Sequence, residues 1–327
     1  MVMKNRVILL LAVLAAVFAA MLFVEDKHEY KNEIELWKHD FDSIAYRPAK
    51  AEWADDFVAV PLVINRKTGF YRYPLFTLEY EENGIPVVYE GNYNIKNMFT
   101  ELAVLKARGV IFEGEADPHK LGLDRESSPV LVLGAGTSAR EIIIGKKTPD
   151  KQNRYFMAGG QIYITHAFIF DKLTRKISSL REKQFLFAGR EYIARVVWRE
   201  DGRSYEWTNR PEEKDGQRKN RWFFNGREEP ALVQKESALI RLRADLYPDD
   251  ARGKGHEIAR LLVSFPVRAV MTVTTSDNKQ TILDIYPRAE IGGEWYYPVV
   301  KKDLAALSPA YIKTGELDSI TAVLARK

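Results

Sequence analysis

The side chains that could do acid–base or metal chemistry are dispersed along this chain. Its histidines are His28, His39, His119, His166 and His256. Because no two of them stand three or four residues apart, no pair can hold a metal ion from one face of a helix. Adjacent carboxylates occur at Asp55-Asp56, Glu81-Glu82 and Asp249-Asp250. Glycosidases use such pairs, but these lie in polar stretches, where we expect solvated turns.

Two glycine-containing stretches resemble phosphate loops only in part. Gly134-Ala135-Gly136 precedes Ala139, as in a loose dinucleotide fingerprint, but a strand rather than a helix is predicted to follow. Gly145-Lys146-Lys147-Thr148 lacks the upstream glycine of a Walker loop. No serine is framed as G-x-S-x-G, and the absence of cysteine excludes disulfides and thiolate chemistry. We therefore predict no catalytic, cofactor-binding or metal-binding residue.

Aromatic and arginine side chains are the better candidates for binding. They cluster in strand-like segments of the second half, and most of the aromatic rings are expected in the core. The alternative is a protein interface, where tryptophan and arginine are enriched. The candidate interface residues are Arg195, Arg199, Trp207, Trp222 and Trp295.

An apolar run near the amino terminus indicates where the protein resides. Val7 to Val24 has no charge, proline or glycine, and Lys4 and Arg6 precede it. About 20 apolar residues cross a bilayer and basic residues stay on the cytoplasmic side, so we predict a single-pass anchor in the cytoplasmic (inner) membrane, with the bulk of the chain outside the cytoplasm. A cleaved signal peptide is the alternative. The candidate anchor residues are Val7, Leu11, Leu14, Phe18, Leu22 and Val24.

Composition limits the class of protein. Apolar residues make up 46% and charged residues 29% of the chain, which is typical of a globular protein. The formal net charge is only +4. Because duplex binding needs a concentrated basic face, nucleic acid is not expected as a partner. The polar run 209–221 mixes both signs of charge and is expected to be a solvated loop.

The two halves of the rest of the chain show one order of predicted elements. In each half an amphipathic helix, 95–108 or 230–246, precedes a β-hairpin, 130–145 or 270–285. A further strand and a short helix follow, at 154–157 and 167–173 in the first half and at 294–297 and 301–307 in the second. Entry strands are predicted at 42–46 and 191–195, with a third copy at 318–322 completing the second sheet.

These patterns predict an α+β fold in which a transmembrane helix precedes two repeated modules. Each module is expected to be a mainly antiparallel sheet with a packed helix. The predicted boundaries are 1–24 for the cytoplasmic tip and anchor, 25–40 for a stalk, 41–187 for the first module and 188–327 for the second.

Residues 95–187 contain several short motifs in a characteristic order. They are Leu121-Gly122-Leu123-Asp124, Ile144-Gly145-Lys146-Lys147-Thr148, Gln161-Ile162-Tyr163-Ile164 and Ser179-Leu180-Arg181-Glu182-Lys183. The ordered set resembles the DUF4340 family of bacterial membrane-anchored proteins of unknown function. The resemblance implies an association with ABC-type transport systems, including those similar to gliding-motility auxiliary components, and it supplies no catalytic residues.

Together these observations favour a non-enzymatic extracytoplasmic accessory protein. Its expected partners are the lipid bilayer, through the anchor, and a protein of a membrane complex, for which an ABC-type transporter is the first candidate; no cofactor is expected. An envelope glycan- or peptide-binding module that uses a groove between the repeats is the alternative hypothesis. A hydrolase is less favoured, because it would need acidic or histidine side chains that converge in one pocket.

Overall fold

A computed structural model describes residues 33–67, 75–82, 84–186, 192–214, 217–250, 254–302 and 308–325. The predicted membrane anchor and most of the predicted stalk lie outside these residues. Among the described residues, no helix is both long enough and apolar enough to cross a membrane.

Strands dominate the described part of the chain. The strands of the first half are β1 (Ile34–Glu35), β2 (Ser43–Arg47), β3 (Leu62–Lys67), β4 (Leu75–Glu82), β5 (Ile85–Glu90), β6 (Lys106–Ala107), β7 (Gly109–Ile111), β8 (Val130–Ala135), β9 (Ser138–Lys147), β10 (Asn153–Ala158) and β11 (Gln161–His166). Those of the second half are β12 (Ile193–Glu200), β13 (Arg203–Asn209), β14 (Glu212–Lys214), β15 (Gln217–Lys219), β16 (Trp222–Phe224), β17 (Arg227–Glu228), β18 (Ala269–Thr275), β19 (Gln280–Ile285), β20 (Ala289–Ile291), β21 (Glu294–Lys301) and β22 (Ala310–Lys313). The α-helices are α1 (Tyr93–Ala103), α2 (Ala231–Ile240), α3 (Lys254–Leu261) and α4 (Thr314–Leu324).

The first half forms a nine-stranded antiparallel sheet. Its strand order is β5-β4-β3-β2-β8-β9-β10-β11-β7. Side chains alternate between the two faces of a strand, so Ile44 and Tyr46 of β2 are buried while Ser43 and Ala45 are only half-buried. One face of the sheet therefore points to the core. Helix α1 covers that face with Ile95, Met98, Phe99 and Leu102.

The second half forms a sheet with a corresponding strand order. Its path is β17-β16-β13-β12-β18-β19-β21-β20, and β22 pairs with β21. The run β5-β4-β3-β2-β8-β9-β10 of the first sheet corresponds to β17-β16-β13-β12-β18-β19-β21 of the second. A helix, α1 or α2, stands at the equivalent place in each half, between β5 and β8 or between β17 and β18.

A single apolar core joins the two sheets. Buried side chains of the first sheet, such as Leu131 and Phe156, belong to the same packed cluster as Trp198 and Met271 of the second sheet. The chain between the sheets contributes to this cluster with Phe185. Because the apolar core is continuous, the two halves stabilise each other and do not form separate domains.

The predicted α+β fold class with a transmembrane helix is wrong for the described chain, which is mostly β. The helices predicted at 95–108 and 230–246 are shorter, because α1 ends at Ala103 and α2 at Ile240. Part of the predicted solvated loop 209–221 forms the β14–β15 hairpin. Additional strands, including β13, β16 and β17, extend the second sheet.

Two smaller predictions also need correction. The supposed third entry strand, 318–322, lies inside α4, where Leu317, Ile320 and Leu324 are buried at helical spacing. A pattern of only five residues fits a strand or a helix equally. The helix forms because it buries these side chains in the core. The short helix expected at 167–173 is two 3-10 turns, Ala167–Ile169 and Asp171–Thr174. Its counterpart at 301–307 falls largely outside the described residues.

Candidate functional site

The most unusual polar arrangement lies where the two halves meet. It consists of Arg181 together with Tyr80, Glu82, Tyr89, Tyr247, Asp249 and His256, which we call the junction cluster. Tyr80, Glu82 and Tyr89 come from strands β4 and β5 of the first sheet, whereas Tyr247, Asp249 and His256 come from the second half. The junction cluster thus combines residues that are distant in sequence.

Backbone pairing fixes the position of Arg181. An isolated antiparallel bridge pairs Arg181 with Gly91, and the Glu182 amide donates to the Glu90 carbonyl at 2.7 Å. The Asn92 side chain caps α1 through the amide of Asn94 and also donates to the Arg181 carbonyl at 3.2 Å. The segment is therefore held against the end of β5 and the start of α1, which directs the arginine side chain inward.

Arg181 is almost completely buried, and its charge is matched. Its guanidinium donates to both carboxylate oxygens of Asp249, with Nη1–Oδ1 and Nη2–Oδ2 distances of 2.5 and 2.7 Å, and also to the Tyr80 hydroxyl. Burial alone would lower the pKa of Arg181, but the hydrogen bonds and charge of Asp249 raise it above its ordinary value. A bidentate pair of this kind keeps an arginine charged inside a protein.

Three tyrosine rings surround the guanidinium. The Arg181 Cζ atom lies 4.4 Å from the ring centroid of Tyr89, 4.8 Å from that of Tyr247 and 5.5 Å from that of Tyr80. Such contacts are attractive because the ring faces carry partial negative charge. Burial raises the pKa of all three phenols, so they remain neutral at physiological pH.

A second carboxyl group stands beside the pair. Burial, followed by the negative charge of Asp249, raises the pKa of Glu82 to about 7. Burial would raise the pKa of Asp249 as well, but its hydrogen bonds to Arg181 and the arginine charge lower it. His256 Nε2 lies 3.6 Å from Glu82 Oε2 on the other side. The charge of the Glu82 carboxyl therefore changes near neutral pH.

Several polar atoms of the junction cluster have no hydrogen-bond partner among the described residues. They are Tyr89 Oη, Glu82 Oε2, His256 Nε2 and Arg181 Nε. A buried polar atom without a partner costs free energy, so such a group usually has a role beyond packing.

Among the described residues, no group of three or more metal-binding side chains is close enough to hold a metal ion.

The sequence-predicted interface residues do not form one surface. Trp207 and Trp222 are fully buried, and their indole nitrogens donate to the Leu324 carbonyl and to Glu236, each at 3.3 Å. They belong to the core, because each indole packs inside the second sheet rather than facing a partner. Trp295 is 46% exposed, and the guanidinium of Arg288 lies 5.0 Å from its ring.

Arg195 and Arg199 lie elsewhere, on the outer face of the second sheet. Arg195 forms an exposed ion pair with Glu206 at 2.6 Å. Arg199 is exposed, and no carboxylate of the described residues lies within ion-pair distance of it. Val196 and Trp198, between these arginines, point to the core. Alternation therefore places both arginines on the face that points away from the core.

Among the described residues, an apolar segment packs on this outer face in the first sheet but not in the second, although Val197 and Asp284 of the second sheet are buried there. In the first sheet, Val130 and Ile143 pack beneath Leu121 and Leu123 of the segment 112–129. In the second sheet, the register puts Val270 and Asp284 at the equivalent positions. Asp284 forms an ion pair with Lys302 at 2.9 Å, so a charge stands where the first sheet has an isoleucine. We call this surface, with Arg195, Arg199, Val270, Thr272 and Ile282, the open face.

Comparison with known families identifies the chain. Residues 90–284 match the family described as "Domain of unknown function (DUF4340)". The chain belongs to this family. The resemblance deduced from the short motifs is therefore confirmed, and the description of the DUF4340 family assigns no reaction. Neither the curated proteins nor the solved structures contain a match to the chain.

Two of the DUF4340 motifs fit together in space. A Cβ atom at Gly145 would lie 2.7 Å from the Leu121 carbonyl oxygen, and one at Gly122 would lie 2.9 Å from the Trp53 ring. Gly122 also has a positive φ of 71°. Both glycines are therefore needed for the segment 112–129 to lie flat on the first sheet.

The DUF4340 motif 179–183 contains the centre of the junction cluster, Arg181. Sequence reasoning missed the arginine's role, and it assigned Glu82 and Asp249 to solvated turns. The motif itself was the available signal, because it places an arginine between apolar residues of the family region. Its partner Asp249 and the rings of Tyr80 and Tyr89 are brought to it only by the fold.

Proposed function

We propose that this DUF4340 protein is a non-enzymatic accessory protein that works outside the cytoplasm in contact with a membrane complex. The partner is a protein subunit of an ABC-type transporter. Family membership and the transport association implied by the motif resemblance support this proposal. The open face is the structural observation that carries it, because it provides a binding surface that the equivalent face of the first sheet does not offer.

The chemistry of the open face suits a protein partner. Thr272 and Ile282 are half-buried neighbours on adjacent strands, and the exposed Arg199 stands opposite the half-buried Val270, two residues before Thr272 on β18. Apolar atoms next to an arginine are a common composition at protein interfaces. An acidic side chain of the partner would complement Arg199, which has no ion-pair partner among the described residues.

The junction cluster supports a structural rather than a catalytic role for its polar groups. Arg181 is bound on two sides by Asp249 and Tyr80, and three rings cover it. A reaction needs a group that can reach a substrate.

Capture of the partner tests the proposal. The full chain, tagged at the carboxyl terminus, is expressed in its own cells, crosslinked mildly and purified. We expect the wild-type chain to recover subunits of one ABC-type transporter. Arg199→Glu should reduce that recovery by about threefold or more, because it places a negative charge on the open face.

Arg203→Glu is the matched control. Arg203 is also exposed and lies in the same pair of strands, but its register opposite Glu200 puts it on the other face. This variant should recover the transporter as the wild type does. Recovery of the chain without any transporter subunit would contradict the proposal that its partner is an ABC-type transporter. Equal recovery by wild type and Arg199→Glu would overturn the open face as its binding site.

A further inference from the structure

The junction cluster contains more acidic groups than its arginine can neutralise. Around the Glu82 carboxyl stand Asp249 and Asp250 from the loop before α3, Arg181 from the segment after the 3-10 turns, and His256 from α3. The neutral phenols of Tyr80 and Tyr89 come from β4 and β5. Arg181 is committed to Asp249 through two hydrogen bonds. No second arginine or lysine faces Glu82 within this set.

The elements that meet here belong to different halves. Glu82 is the last residue of β4 in the first sheet, whereas Asp249 precedes α3 and His256 lies in the first turn of α3. Helix α3 packs its Ile258 against Ile291 and Tyr296 of the second sheet. The contacts of Glu82 with Asp249 and with His256 of α3 thus connect the first sheet to elements of the second half.

We propose that the junction cluster is a proton-operated switch. With a proton on Glu82, the loop 246–250 and α3 are held against the first sheet; without it, they are released. The proton leaves the Glu82 carboxyl for solvent, and no other bond is broken. The ionised carboxylate then stands next to Asp249 and Asp250, and like charges at close range repel.

The protonated form explains the arrangement of the two acids. A neutral carboxyl group donates a hydrogen bond to a neighbouring carboxylate, and the Glu82–Asp249 hydrogen bond raises the pKa of Glu82 in addition to burial and charge. The pair shares one proton beside one arginine, so the charges of Arg181, Asp249 and the protonated Glu82 sum to zero. Loss of that proton removes a hydrogen bond and adds a negative charge in the same step.

The direction of the pH dependence follows from the pKa of Glu82, which is raised from its ordinary value to about 7. An acid whose pKa is raised in the closed state stabilises that state below its ordinary pKa and loses the contribution as the pH rises through 7. Asp249 has a lowered pKa and acts in the opposite sense, because its contribution is lost only in acid. The closed junction is therefore most stable in mildly acidic solution and opens on the alkaline side of neutrality.

Hydrogen exchange of the full chain tests the switch. Amide exchange is measured by mass spectrometry between pH 5.5 and 8.5, and each rate is divided by its intrinsic rate at that pH. In the wild type, protection of peptides covering 242–250 and 254–261 should fall by about tenfold or more across this range. Peptides covering β8 should keep their protection, because β8 lies in the core of the first sheet.

Two variants of neighbouring residues separate the switch from a general effect of pH. Glu82→Gln cannot ionise, so the same peptides should remain protected up to pH 8.5. Glu81→Gln changes the adjacent exposed carboxylate and should behave as the wild type. Constant protection of 242–250 in the wild type would overturn the proposal whether or not Glu82→Gln folds. An equal loss in β8 would also overturn it, since that result means global destabilisation.

Discussion

Individual side chains in the junction cluster differ in how well their polar atoms are satisfied. The Tyr80 hydroxyl accepts a hydrogen bond from Arg181, whereas the Tyr89 hydroxyl has no partner among the described residues. Both rings contact the guanidinium, and both are buried. The two tyrosines therefore form a natural pair for separating the contribution of a hydroxyl from that of a ring.

Removing each hydroxyl in turn should give opposite results. Tyr80→Phe is expected to lower the free energy of unfolding by about 1–3 kcal/mol, because a buried charged donor loses an acceptor. Tyr89→Phe should be neutral or stabilising by up to about 1 kcal/mol, because it removes a buried group that makes no hydrogen bond. Urea unfolding followed by far-ultraviolet circular dichroism measures both. A larger loss for Tyr89→Phe than for Tyr80→Phe would contradict this assignment.

At this scale the sequence was least informative. Glu81-Glu82 and Asp249-Asp250 both look like solvated turns when each is considered with its neighbours in the chain. Only one carboxylate of each pair enters the junction cluster, and which one depends on the face of β4 and on the path of the loop before α3. Local patterns carry no information about such distant contacts. The tryptophans show the same limit, because Trp207 and Trp295 have similar surroundings in sequence but opposite burial.

Among the secondary-structure elements, the segment 112–129 depends on a close approach between two glycine motifs. Gly145 lies in β9, directly beneath the Leu121 carbonyl. Leu121 and Leu123 pack on the outer side of the sheet through this approach. The first sheet is thus covered only as long as residue 145 has no side chain.

Adding one methyl group at this position should displace the segment. Gly145→Ala is expected to lower the free energy of unfolding by about 1–3 kcal/mol through overpacking. Gly109→Ala is the control, because a Cβ there meets its nearest atom, Ile164 Cδ1, at an ordinary 3.9 Å. Thermal unfolding compares the two, and limited proteolysis should cut Gly145→Ala within 112–129. Resistance to proteolysis equal to that of Gly109→Ala would argue against displacement.

Elements defined by neighbouring residues could be predicted from the sequence. The hairpins expected at 130–145 and 270–285 are present as β8–β9 and β18–β19. The spacing of Ile95, Met98, Phe99 and Leu102 correctly indicated a helix. The predicted strand at 318–322 was wrong because that choice depends on packing against the second sheet. The large share of strand was underestimated, since short strands such as β16 and β17 have no periodicity of their own.

In the whole molecule, the continuous core makes the two halves depend on each other. The tryptophans report on both, because Trp37 belongs to the first half and Trp198, Trp207 and Trp222 to the second. Ion pairs also cross the boundary, as between Lys301 and Glu90 at 2.7 Å. The described residues therefore form one packed unit rather than two independent domains.

A shared core predicts one unfolding transition. Tryptophan fluorescence and far-ultraviolet circular dichroism should give the same urea midpoint at pH 6, where the junction is closed. Leu131→Ala removes a fully buried side chain of the first sheet, so it should lower the free energy of unfolding by about 2–5 kcal/mol. The urea midpoint should fall equally for both signals. Two separated transitions, with the tryptophan signal unaffected by Leu131→Ala, would show independent halves.

Asp284 has a consequence for how the chain reaches its native state. Two sheets with corresponding strand orders offer two similar landing places for the segment 112–129 while the protein is folding. The apolar side chains Leu121 and Leu123 meet Ile143 on one sheet. On the other they would lie against the buried Asp284 and would have to cover its partner Lys302, whose side chain is 54% exposed, which is costly. One carboxylate on the second sheet thus directs a segment of the first half to its own sheet and disfavours a misfolded isomer with the same strands.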